Sequence, residues 1–199
     1  MSSGGCTIVV MILSDTAIRE AIDAGQLTLD PIDLDRALQP TSVDVHLAAS
    51  FRTFDSHRHQ VIDPRRLPGD LTSEATASTE DPFVLHPGEF ALASTVETVG
   101  LHGPIVGRVE GKSSLGRCGL AIHATAGFID AGFHGNITLE LSNVANLPVL
   151  LYPGMPIAQF AFFAVQGKIA RLYGHPDLRS KYQGQAGPTA SAYHRNFDR

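Results

Sequence analysis

Between Gly111 and Leu141 the chain reads GKSSLGRCGLAIHATAGFIDAGFHGNITLEL. Lys112, Ser113, Ser114, Arg117, Asp130 and Glu140 stand there among glycines and alanines. Side chains of these types support two kinds of chemistry. Lysine, arginine and serine hydroxyls beside turn amides can hold phosphate oxygens. A carboxylate at the wall of a pocket can act on water as a general base. The small residues would leave room for a flat ring. The plainer readings are a polar turn for GKSSLGR, a solvated strand face for Glu140 and a turn-capping role for Asp130.

The phosphate loop of P-loop proteins is excluded. Its pattern is G-x-x-x-x-G-K-[ST], and Gly107 stands one residue too close to Gly111-Lys112-Ser113. In NITLEL the alternation predicts a strand with Ile137, Leu139 and Leu141 on one face and Thr138 and Glu140 on the other. Among nine histidines no pair has helical metal spacing, and His57 and His59 fall in a loop-like stretch. His123 differs, because it sits between the two charged clusters. Cys6 and Cys118 are too few for a disulfide framework or a thiolate zinc site, which fits a reducing compartment.

The elements that must position these residues are mostly short strands. The 199 residues predict one compact domain, and folding at this size buries about 70% of the unfolded surface. A net charge of −5 argues against a general nucleic-acid binder but leaves room for a local basic pocket. No apolar run approaches the ~20 residues of a membrane span. The opening MSSGGCTIVVMIL lacks a basic n-region and a cleavage site, so a cytoplasmic location is expected. Residues 1–10 read as a disordered extension, or Met11 as the functional start. Ser14 to Gly25 is the one long helix, with Ser14 as cap, Ile18 and Ile22 on one face and Gly25 at its end. VDVHL, FVLHPGEFALAST, PIVGRVEG, NITLELSNV and PVLLYPGMPIAQFAFFAV, separated by Gly and Pro, predict a β-sandwich or barrel-like sheet. GDLTSEATASTEDP (69–82) is expected to be a surface loop. The tail from Arg179 has too little apolar content to fold alone and is expected to order over a ligand.

Several of these motifs, in order, resemble the dCTP deaminases of the trimeric dUTPase superfamily. They are GKSSLGR (111–117), HATAGFID (123–130), ITLELSN (137–143) and GMPIAQF (154–160), with ILSD (12–15), TSVDVHL (41–47) and KYQGQ (181–185). The likeness runs from Met11 to the tail. AGFIDAGFHG is also similar to the uracil-recognition motif G-x-I-D-x-x-Y-x-G of dUTPases, with Phe133 in the Tyr place. The resemblance implies a mainly β, distorted β-roll or jelly-roll-like fold with one N-terminal helix and few short ones. It further implies a homotrimer with sites between subunits, a domain over 11–178, and a flexible tail over 179–199 that closes on bound nucleotide.

The resemblance also implies roles. Glu140 would activate water, with Ser113 and Arg117 positioning the water and organising the carboxylate, and main-chain groups near Ala126 completing the contacts. Asp130 would bind the 3′-hydroxyl. Lys112, Ser113, Ser114, Leu115, Gly116, Arg117, Thr138, Leu139, Gln159, Tyr173, Lys181 and Gln185 match nucleotide-contacting positions. Mg²⁺ would accompany the triphosphate, with no protein metal site. The H-x-E and P-C-x-x-C signature of zinc deaminases is missing, so no zinc is expected. Making free hydroxide with a carboxylate would cost about 15 kcal/mol, so proton transfer must accompany addition of water to C4, with Glu140 passing the proton to N3.

Phe133 would pack on the sugar and disfavour a 2′-hydroxyl. Gly127-Phe128 stand where monofunctional members carry His-Arg, which implies the type that continues to dUMP and pyrophosphate. In that second step water attacks the α-phosphate, with Asp130 taking part. The implied partners are dCTP and dUTP, with dTTP inhibiting some members through the turn at His123 to Thr125, and neither nucleic acid nor membrane. The alternatives are a deaminase that releases dUTP, a plain dUTPase and a nucleotide-binding protein without turnover.

Overall fold

The structure, a computed structural model, describes residues 11–123 and 125–197. The extension expected over residues 1–10 lies outside them. Ser14 caps α1 (Asp15–Asp23), accepting the Ala17 N–H at 3.4 Å, and Gly25 leaves the helix at φ +67°. Buried Ile18 and Ala21 fasten this helix to the core. There follow β1 (Leu27–Asp30), the short α2 (Leu34–Ala37), β2 (Leu38–Gln39), β3 (Ser42–His46) and β4 (Ser50–Phe54). Next come β5 (Thr72–Thr76), β6 (Phe83–Leu85), the long β7 (Phe90–Leu101) and β8 (Ile105–Gly111). One helical turn, α3 (Ser113–Gly116), leads to β9 (Leu120–Ile122), β10 (Phe128–Ile129), β11 (His134–Asn143), β12 (Val149–Leu151) and β13 (Pro156–Ala164).

Two antiparallel sheets share one core. The first runs β5-β4-β7-β11-β9, with β1 also on β7; the second runs β10-β8-β13-β3-β2; β6 and β12 pair separately. The period-two reading of β11 holds, with Ile137, Leu139 and Leu141 buried and Thr138 and Glu140 on the opposite face. From the second sheet Val43, Val45, Phe160 and Phe162 are wholly buried in the same cluster. Burying each such side chain contributes about 1.5–3 kcal/mol, which is why the alternating pattern fixes the register.

One expectation is corrected. Residues 69–82 are not simply a loop, because Thr72–Thr76 form edge strand β5 against β4. Its sequence TSEAT carries little apolar signal, since most of the strand faces water. Arg52 of β4 supplies the missing fastening, donating to Thr72 Oγ1 at 2.9 Å and Glu74 Oε1 at 2.6 Å.

Between β7 and β11 the register shifts. Asn136 opposes Thr98 and Thr138 opposes Ser94, so Thr95, Val96 and Glu97 bulge opposite Ile137 alone. The bulge is pinned from β3. Glu97, buried, accepts the His46 N–H at 2.9 Å and bonds His46 Nδ1 at 2.6 Å. From β11, Asn136 Nδ2 lies 3.2 Å from the carbonyl oxygens of Thr95, Val96 and Glu97.

Candidate active site

The polar face of β11 forms the floor of a cavity of about 380 Å³. Thr138 and Glu140 rise from that floor, and the turn from His123 to Asp130 makes one wall. Tyr173, Tyr182, Gln185 and Thr189 close another side, while Phe54, Leu67 and Phe90 make an apolar end. A cleft of this size with a few convergent polar groups suits a small organic ligand.

Glu140 is held on both its carboxylate and its main chain. Thr125 Oγ1 donates to Glu140 Oε2 at 2.5 Å, and the His123 N–H donates to the Glu140 carbonyl at 2.7 Å. His123 adopts the left-handed region at φ +52°, and its Nε2 donates to the Ala126 carbonyl at 2.9 Å. The turn is then stitched to β8, where Val109 N–H donates to the Gly127 carbonyl at 2.8 Å. A Cβ at Gly127 would sit 2.6 Å from the Val109 carbonyl oxygen, so this turn accepts no side chain there without moving. Phe128 is exposed on the cavity wall, and Asp130 presents its carboxylate beyond it.

The open edge of β11 is divided between two neighbours. β9 pairs with Leu141 to Asn143. At the other end the tail runs beside the strand: Gly184 N–H donates to the His134 carbonyl at 2.8 Å, and Thr189 N–H donates to Thr138 Oγ1 at 3.1 Å. Asn136 N–H donates to Gln185 O at 3.0 Å, and Gln185 Nε2 donates to Asn136 O at 2.7 Å. By strand alternation Asn136, Thr138 and Glu140 turn their main-chain groups to this edge. Gln185 takes those of Asn136, and His123 takes the Glu140 carbonyl. Among the described residues no main-chain group meets Thr138 there. A donor and an acceptor side by side on a strand edge can pair with the polar edge of a heterocyclic base, as a strand pairs with a peptide.

The structure brings together Asp130, Thr138, Glu140, Tyr173 and Gln185, with Phe128, and places Lys181 in an adjoining cavity. Ser113 and Arg117 do not reach Glu140 within the chain: both are exposed on or beside α3 and line neither cavity. α3 joins β8 of one sheet to β9 of the other, and β9 meets β11 at Leu141 to Asn143, past Glu140. Ser114, Leu115 and Gly116 lie on the same turn, outside the pocket. Lys112 instead pairs with Asp44 at 2.6 Å, and Gln159 stands opposite Asp44 on β13. Leu139 is wholly buried, and by the same alternation its main-chain groups turn toward β7.

Reading the sequence missed Asn136 and Thr189, and it gave Thr125 no place on Glu140. Asn136 had one visible signal, an amide directly before an alternating strand. Thr125 had none beyond its place in the small-residue turn. Among the described residues no group of three or more His, Cys, Asp or Glu could hold a metal ion, and no helix is long and apolar enough to cross a membrane.

The two-sheet fold with a polar strand face beside a small-residue turn agrees with comparison to known proteins. Residues 12–165 match the family described as dCTP deaminase-like, and the chain belongs to that family. It is 53% identical over 189 residues to a protein of Mycobacterium ulcerans (strain Agy99) named dCTP deaminase, dUMP-forming, covering 95% of this chain and 99% of that one. It is 54% identical over 187 residues to a protein of the same name from Mycobacterium sp. (strain KMS), covering 94% and 98%. In fold it resembles the crystal structure of 2′-deoxycytidine 5′-triphosphate deaminase from Agrobacterium tumefaciens. The TM-score is 0.60 at 23% identity, over 79% of this chain and 49% of that longer one.

Proposed function

We propose that the protein deaminates dCTP by hydrolysis and carries the product on to dUMP, releasing ammonia and pyrophosphate. The observation that carries the chemistry is a carboxylate, Glu140, aimed by Thr125 beside the open main-chain edge at Thr138. Likeness over nearly the whole chain to proteins named dCTP deaminase, dUMP-forming supports the product.

The pyrimidine lies on the β11 edge with C4 toward Glu140. Water adds to C4 as Glu140 takes one of its protons and delivers it to N3. A second proton passes from the new hydroxyl to the amino group, the C4–N bond breaks, ammonia leaves and the C4 carbonyl forms. The Thr125 hydroxyl keeps the carboxylate oriented between transfers. Phe133, buried and packed on Tyr173 at 5.7 Å between ring centroids, makes a firm wall for the sugar and disfavours a 2′-hydroxyl.

Asp130 meets the sugar and then the water that attacks the α-phosphorus, where the bond to the pyrophosphate oxygen breaks. Asp130 and Glu140 are the only carboxylates lining the two cavities among the described residues. Magnesium would be held through the phosphates rather than by a protein site, with Asp130 the carboxylate shared by the two cavities. The ion would supply neutralisation of phosphate charge. Gly127 supports the second step: the His of monofunctional members has no room in this turn. dTTP would inhibit by competing for the same edge and shifting the His123 to Thr125 turn.

A homotrimer completes the site. Ser113, Ser114 and Arg117 are exposed in their own chain, and a threefold assembly would lay that turn against the pocket of the next protomer. The test is product analysis of dCTP with Mg²⁺, following ammonia, pyrophosphate and dUMP. All three should appear in equal amounts. Accumulating dUTP without pyrophosphate would sink the second step, and absence of ammonia would sink the whole reading.

A further inference from the structure

A triphosphate needs cations, yet among the described residues neither Lys nor Arg lines the cavity that holds Glu140. A second cavity, about 630 Å³, shares Phe128, Asp130, Tyr173 and Tyr182 with the first, so the two are continuous past that wall. Arg171, Arg179 and Lys181 all line it, against Asp130 as its lone carboxylate among the described residues. The chain as a whole carries a net charge of −5. Three cations gathered in one recess therefore run against the overall balance, and a recess of this kind focuses positive potential on an anion.

The backbone adds a second observation. Among the described residues only two besides glycine have positive φ, His123 at +52° and Arg179 at +48°. One lines each cavity. The left-handed conformation is unfavourable for a residue with a Cβ and persists where the surroundings impose it, commonly at working sites. Here the 3-10 turn Pro176–Leu178 imposes it, with Arg179 as its C-terminal cap. Glycine would fit that position with less strain, so an arginine there is kept at a conformational cost. The guanidinium groups are also lightly engaged. Arg171 Nη1 is 3.9 Å from Asp177 Oδ2, and among the described residues no carboxylate lies within 4.0 Å of Arg179 or Lys181.

We propose that Arg171 and Arg179, beside Lys181, form a phosphate subsite contributed by the same chain as Glu140, which takes the outer phosphates of the nucleotide. This rests on reading the pocket as the nucleotide site, and it adds two residues that neither motif nor family resemblance had marked. With the base at Glu140 and the sugar at Asp130, the phosphate chain passes Phe128 into the second cavity. Planar guanidinium groups suit this role because each can donate two parallel hydrogen bonds to phosphate oxygens. The segment bearing them leads directly into Tyr182 to Thr189, which lies along β11, so phosphate binding also steadies the start of that strap.

The decisive variant is Arg179→Gly, alone and combined with Arg171→Ala. Glycine relieves the left-handed backbone, so folding is spared while the cation is lost. Each substitution should raise KM for dCTP about 10- to 100-fold, more than any fall in kcat, as expected for lost hydrogen bonds to a charged group. Inorganic tripolyphosphate, measured by calorimetry, should weaken in parallel, and Arg179→Lys should recover part of both. Unchanged KM and unchanged tripolyphosphate affinity in the double variant would overturn the subsite. If the unaltered protein released no ammonia from dCTP, the reading of the pocket would fall instead, and tripolyphosphate binding would still decide the subsite.

Discussion

Asn136 offers a sharp test of how the pocket is held closed. Its Nδ2 faces the carbonyl oxygens of Thr95, Val96 and Glu97, each at 3.2 Å, and its Oδ1 accepts the Gly187 N–H at 3.3 Å. An amide has two hydrogens, so at most two of the three carbonyl contacts are full bonds. Replacing Asn136 by Ala removes those bonds and leaves part-buried carbonyls unpaired, a loss of about 2–4 kcal/mol. For a chain of this length that lowers Tm by about 2–4 °C per kcal/mol. The strap loses its side-chain anchor but keeps the main-chain bonds to Gln185, so KM for dCTP should rise while kcat changes less.

Asn136→Asp is isosteric and preserves the bond from Gly187, yet it turns a charged oxygen toward three carbonyls. It should therefore destabilise more than Ala does. Urea denaturation of the three proteins, with steady-state ammonia release, provides the measurement. An Asp variant as stable as the Asn protein would refute the assigned geometry of bulge and strap.

Other substitutions probe the chemistry directly. Glu140→Gln should cut ammonia release by about 10²- to 10⁴-fold while nucleotide affinity stays within about tenfold, measured by stopped assay and calorimetry. Thr125→Val removes a hydrogen bond to a charged group and should lower kcat/KM about 10- to 100-fold without unfolding the chain. Gly127→His places a Cβ against the Val109 carbonyl, so the turn must leave β8; chromatography should then show dUTP accumulating at the expense of dUMP. Mixing refolded Glu140→Gln and Arg117→Ala chains, each inactive alone, should restore about a quarter of wild-type activity if each site joins two protomers. No recovery would place Arg117 outside the neighbouring site.

Local physics made part of this protein readable in one dimension. Alternation placed Thr138 and Glu140 on one face of β11, because side chains on a strand must alternate and Ile137, Leu139 and Leu141 had to be buried. Ser14 and Gly25 bounded the helix, because capping depends on residues a few positions apart. The ordered motifs from GKSSLGR to KYQGQ carried the family. What depends on distant partners was not readable. β5 is a strand only because β4 offers it an edge and Arg52 fastens it. Lys112 is engaged by Asp44, which lies 68 positions earlier and meets it only when β13 lines up between β3 and β8. Ser113 and Arg117 stand on and beside the turn between β8 and β9, outside the cavity floored by Glu140, and no local pattern in the sequence reports that placement. The tail held too few apolar residues to fold alone, and it gains its place from hydrogen bonds along the free edge of β11. Register, burial and side-chain pairing are properties of the whole assembled chain, and only the tertiary structure decided them.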